Sequence, residues 1–203
     1  TSFTLIFKIL IFFAFVGLII LNILAKKEAS LFVSSQYLFG ASIFYLISLL
    51  IYRADFVVFS DNFFINSMYV STHIYVGYSF VFLSLLHFMI TKGINATLYS
   101  KTLGSIGFWG FLFLLPWSNF KFYFGSVLPN WIENISLYLS ISLSLPLLAI
   151  AVNFFRTVPT RVDENKVIYS LVSFSFGIFA ITNIFQIVSS LSNIIPILSL
   201  TNF

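Results

Sequence analysis

The chain has 203 residues, of which 60% are hydrophobic and only 8% charged, with ten basic against six acidic side chains. A soluble domain carries about 25% charged residues because its surface must meet water, and a mean hydropathy of +1.04 leaves this chain unable to do so. That excludes a cytosolic enzyme, a nucleic-acid-binding protein and a disordered tail. It points to an all-α, polytopic bundle of transmembrane helices.

In chain order, about six stretches reach the roughly 20 apolar residues needed to cross a hydrocarbon layer about 30 Å thick. They are residues 3–24, 31–52, 69–90, 104–128, 135–155 and 167–191. The first is interrupted only by Lys8, near enough to one end to snorkel. Its apolar run is too long for a secretory signal, and no small-residue cleavage site precedes Lys26 and Lys27. The fourth is cleanly apolar only from Gly104 to Trp117. Continuing through Ser118, Asn119 and Lys121 gives spanning length, with a kink at Pro116 and Lys121 reaching for the nearer surface; a re-entrant element is the alternative. No internal repeat or long linker divides the chain, so a single membrane domain over residues 1–203 is expected.

The basic residues are distributed unevenly. Lys26, Lys27, Lys92, Lys101, Arg156, Arg161 and Lys166 fall in the first, third and fifth connections, against Arg53 and Lys121 in the second and fourth. The positive-inside bias then places the odd connections on the cytoplasmic or matrix side and both termini on the opposite, outer side. The second connection, Ala54 to Met68, holds Asp55 and Asp61 among Phe56, Phe59, Phe63 and Phe64. So many aromatics favour the headgroup level or a covering partner, with Asp55 near Arg53.

Candidate chemistry is sparse. No Cys is present, so disulfides, iron–sulfur clusters and thiolate–zinc sites are excluded. No acidic residue lies deep in a span, and Asp163 and Glu164 sit among basic residues in a polar connection. The two histidines, His73 and His87, share the third span, separated by about 21 Å and nearly on one face at helical geometry. Membrane cytochromes b hang two haems on one helix in this way, but each such haem needs a second histidine from another helix. A haem contact of His73 or His87 would therefore require a partner subunit; the simpler reading is an interfacial histidine bonded to backbone or headgroups. Asn95-Ala96-Thr97 and Asn134-Ile135-Ser136 fit the glycosylation tripeptide. Gly40, Ala41, Ser42, Gly77 and Ser79 suit close helix packing, and Ser136, Ser140, Ser142 and Ser144 can bond within or between helices.

The stretch from Leu31 to Ile90 resembles subunit III of the haem–copper cytochrome c oxidases. The resemblance rests on Leu31, Ser34, Leu38 and Gly40, then Tyr52-Arg53, Ala54-Asp55-Phe56, Ser60-Asp61 and Ser67-Met68-Tyr69-Val70-Ser71-Thr72, in the order of that family's pattern. It makes the first three spans the family's fourth, fifth and sixth helices and the fourth span its last, ending in Tyr123-Phe124-Gly125-Ser126. The chain departs from the family in having Tyr75 and Tyr78 where paired histidines are usual. A rival resemblance, to the C-terminal half of subunit I, rests on Asp55-Phe56-Val57-Val58, Asp61 to Ile65, Tyr99, and Leu103 to Trp109. That subunit needs a histidine pair where this chain has only His73.

The first resemblance implies a non-catalytic core subunit of a respiratory terminal oxidase, with no catalytic, metal or cofactor-binding residue of its own. Haem would lie in partner subunits and structural lipids against its outer faces. It implies an energy-transducing membrane, the mitochondrial inner membrane above all, and other membrane subunits of a respiratory complex as partners, with no nucleic acid. The alternatives are a haem-ligating cytochrome subunit and a lineage-specific scaffold of a respiratory supercomplex.

Overall fold

A computed structural model of the chain describes residues 10, 12–14, 16–17, 20–21, 32–54, 71–93, 96–120, 130–157 and 166–194. Among the described residues the only regular structure is helical. The elements are α1 (Val33–Ala54), α2 (Ser71–Gly93), α3 (Lys101–Ser118), α4 (Asn130–Ser142), α5 (Ser144–Arg156) and α6 (Lys166–Ile194). The protein is all-α, and among the described residues 4 stretches are long and apolar enough to cross a membrane: Val33–Ile51, Ser71–Gly93, Asn134–Arg156 and Lys166–Ser190. Most of the expected first span, Lys8 included, lies outside the described residues, as do Lys121 and the connection 55–70 with Asp55, Asp61, Phe63 and Phe64.

The fourth expected span differs from the sequence reading in extent. Its α-helix starts at Lys101, because the Ser100 hydroxyl accepts the Leu103 N–H at 3.2 Å and caps the first turn. It ends at Ser118, followed by a 3-10 turn at Asn119–Phe120. Pro116 lies in the last turn and acts as a terminator, since it has no N–H to return to the preceding turn. Residues 121–129 lie outside the described set.

The fifth expected span is one apolar stretch but two helices, α4 and α5, separated by a turn at Leu143. Leu143 N still donates to Leu139 O and Leu147 N to Leu143 O, each at 3.1 Å. Pro146 cannot supply the next bond of that ladder, which localises the break to its first turn. α2 carries a different irregularity. It is α-helical from Tyr78 to Phe88 but wound as a wider π-helix at Ser71–Gly77 and Met89–Gly93.

The chain forms two compact units, Thr1–His87 and Phe88–Phe203. In the first, α1 packs against the Ser71–Gly77 turn and the helix that follows it. Tyr37, Phe44, Phe80 and Leu83 are buried there, with Phe80 stacked on Phe44 at 5.3 Å. Gly40, Ala41, Ser42 and Gly77, the small residues expected to admit close packing, are buried. Ser84 Oγ ties the two helices by donating to Ser34 O at 2.8 Å.

In the second unit α3 packs on α4 and α5, and α6 packs on α4. Phe111, Phe154 and Phe176 fill its centre, with Phe154 and Phe176 stacked at 4.6 Å. The α3–α5 crossing is close enough that a Cβ added at Gly110 would lie 2.6 Å from Pro146 Cβ. Gly104 and Gly107 are buried on the same helix.

Candidate functional site

The two histidines are both turned toward α1. His87 is 2% exposed. Its Nδ1 lies 2.7 Å from Leu83 O, and because a carbonyl can only accept, Nδ1 carries the proton and donates. Its ring stacks on that of Tyr37 at 5.0 Å and 17°. His87 bonds to backbone, one of the two kinds of partner expected from the sequence, inside the helix pair.

His73 is half-buried in the π-helical turn at the other end of α2. Ser48 Oγ donates its one hydrogen to Tyr45 O at 2.7 Å. The 3.1 Å contact between Ser48 Oγ and His73 Nδ1 is therefore satisfied by Nδ1–H donating to the hydroxyl. Tyr45 and Tyr78 flank the imidazole at 5.1 and 5.6 Å. Each histidine thus uses Nδ1 as a donor to a fixed acceptor and packs against aromatic rings. This arrangement joins helices. It also fixes the tautomer in the way that second-shell acceptors fix metal-ligating imidazoles.

Among the described residues no three His, Cys, Asp or Glu side chains come together as a metal-ligand group. The serine-rich fifth span is used for packing. Ser140 is buried and donates to Ser136 O at 2.8 Å, with a longer 3.3 Å contact to Ser118 O across the helix pair. Ser142 bonds back to Tyr138 O at 3.0 Å. Of the glycosylation tripeptides, Asn95 lies outside the described residues, while in α4 Asn134 is exposed and Ser136 is buried.

Among the described residues three buried asparagines, Asn119, Asn153 and Asn183, were given no role from the sequence, although an amide inside an apolar run is a visible signal. Asn153, 1% exposed, accepts the Ser100 N–H through Oδ1 at 3.0 Å. Thr157, one turn on, accepts the Tyr99 N–H at 3.1 Å while its own hydroxyl donates to Asn153 O. The end of α5 therefore holds the segment that caps α3. Asn119, 5% exposed, lies just past the other end of α3, and its Oδ1 is buried with no hydrogen-bond partner.

No known protein family, curated protein or solved structure matches this chain.

Proposed function

We propose that this chain is a non-catalytic, helix-packing subunit of a larger membrane complex, and that the complex is a respiratory terminal oxidase. The observation that carries the first part is the use made of the two imidazoles. Each spends its Nδ1–H on a neighbouring acceptor, Leu83 O or Ser48 Oγ, and each sits against tyrosine rings. These groups serve helix association, where hydrogen bonds and close packing replace the hydrophobic effect. The outward surface suits a subunit embedded among lipids and other helices. In Lys166–Ser190 only 17% of the apolar window is buried within the chain, against 44% in Ser71–Gly93. The oxidase itself rests on the resemblance of Leu31–Ile90 to subunit III.

The test is purification of the tagged full chain from native membranes in mild detergent. The expected result is co-purification of haem-containing subunits whose visible spectrum is unchanged by His73→Ala or His87→Ala. Absence of haem proteins from the preparation would defeat the oxidase assignment.

A second reading, a haem-ligating subunit paired with a histidine of another chain, is favoured by one observation: Nδ1 donation is the orientation that ligating histidines adopt. It requires iron about 2.0–2.1 Å from a His73 ring nitrogen, the ordinary metal–imidazole distance. A shifted haem spectrum in His73→Ala would establish it in place of the first.

A further inference from the structure

Two hydrogen bonds lay the segment before α3 along the last turn of α5. The Tyr99 N–H donates to Thr157 Oγ1 at 3.1 Å and the Ser100 N–H to Asn153 Oδ1 at 3.0 Å. Lys101, the first residue of α3, follows directly, and Arg156 lies between the two acceptors in that turn of α5. Lys101 and Arg156 are both exposed. Two cationic side chains from two helices therefore start from adjoining backbone at one end of the second unit. The positive pole of the 18-residue α3 adds to them. Among the described residues the charged side chains at this end are all basic; Asp163 and Glu164 lie outside the described set.

Arg156 also heads an apolar track. Leu145, Leu148, Val152 and Phe155 are exposed, and at 100° per residue they fall with Arg156 inside an arc of about 100° on α5. The track runs about 15 Å along the helix from the cationic end. A free anion matches the charges alone, whereas an anionic head carrying acyl chains matches both the charges and the track. Clustered basic residues at the ends of membrane helices are the groups that recognise anionic lipid headgroups. We propose that Lys101 and Arg156 bind the phosphate of an anionic phospholipid whose acyl chain lies along the exposed face of α5. The site does not depend on the complex to which the chain belongs.

The test is thermal unfolding of the purified full chain in neutral detergent with added phosphatidylglycerol, beside phosphatidylcholine of the same acyl chains and beside inorganic phosphate. With phosphatidylglycerol tenfold above its dissociation constant, the unfolding constant falls about elevenfold, a rise in Tm of about 3–6 °C. Phosphatidylcholine, which has no net charge, gives a smaller rise. A basic side chain near an anionic surface is worth about fivefold in affinity. Lys101→Gln combined with Arg156→Gln therefore weakens phosphatidylglycerol about 25-fold and leaves a rise below about 1 °C. Native mass spectrometry supplies a second measurement, in which the double variant retains less phosphatidylglycerol than the unmodified chain. Equal Tm in the two lipids for the unmodified chain would overturn the proposal. So would a phosphatidylglycerol effect, or lipid retention, that survives the double substitution. If inorganic phosphate alone raises Tm as much, the site takes a free anion and the lipid assignment fails.

Discussion

Adding one methyl group at Gly110 tests the central contact of the second unit. The new Cβ would lie 2.6 Å from Pro146 Cβ and 3.0 Å from its Cγ. Ordinary carbon–carbon contact begins near 3.5 Å, so α3 and α5 must separate by close to 1 Å. Neither partner can yield by a rotamer change, since one is a backbone-linked methyl and the other a ring carbon. A radial gap of that size forfeits about a quarter to a half of each dispersion contact along the crossing. Overpacking of this kind costs about 1–3 kcal/mol. The Gly→Ala gain in helix propensity returns about 1 kcal/mol, leaving a net loss of up to about 2 kcal/mol. Gly177 in α6 is the control, because an added Cβ there meets nothing within 4 Å. Gly177→Ala should be stabilised by about 0.5–1 kcal/mol through propensity alone. Thermal or denaturant unfolding in detergent, with both variants run beside the unmodified chain, reads the difference. At about 2–4 °C per kcal/mol, the two substitutions move Tm in opposite directions. If Gly110→Ala is stabilised like Gly177→Ala, the close α3–α5 crossing is wrong.

Asn153→Leu leaves the Ser100 N–H without its 3.0 Å acceptor and should cost about 1–3 kcal/mol; combined with Ser100→Ala, which removes the cap, the loss in unfolding free energy should fall short of the sum because both act on one junction. Phe154→Ala should cost about 3–5 kcal/mol, and a double-mutant cycle with Phe176 should return a coupling of about 0.5–1.5 kcal/mol for the rings stacked at 4.6 Å. Ser48→Ala takes away the acceptor of the His73 Nδ1–H and should lower stability by about 1–3 kcal/mol, accompanied by a shift of the imidazole Nδ1 proton resonance. Ser84→Ala removes a single interhelical bond and should cost only about 0.6 kcal/mol, the average found for such bonds in membrane proteins; a loss above 2 kcal/mol would mean that Ser84 does more than donate to Ser34 O.

Composition alone decided the class. A chain with 60% hydrophobic and 8% charged residues has no way to fold in water, and backbone satisfaction inside a bilayer leaves helices as the simplest answer. Segment centres were equally legible, because a run of apolar residues is a local property. Four of the expected segments coincide with helical stretches of spanning length and composition, Val33–Ile51, Ser71–Gly93, Asn134–Arg156 and Lys166–Ser190. What the linear pattern left open was decided by contacts between residues distant in the chain. Hydropathy does not register that Pro116 lies one turn from a helix end, that Pro146 divides one apolar stretch into α4 and α5, or that α2 widens into π-helix around His73. The two histidines stood out at once, but their role as donors depended on Ser48 and on the carbonyl of Leu83, with Tyr37 supplying the stacking face. Asn153 and Asn119 look alike as polar residues in apolar surroundings. Only folding distinguishes them, by bringing the Ser100 N–H to one and leaving the other's oxygen buried with no hydrogen-bond partner. Local hydrophobicity selects which segments leave water. Which polar atoms then find partners is set by the helix crossings, because a hydrogen bond requires two groups to meet within about 3 Å.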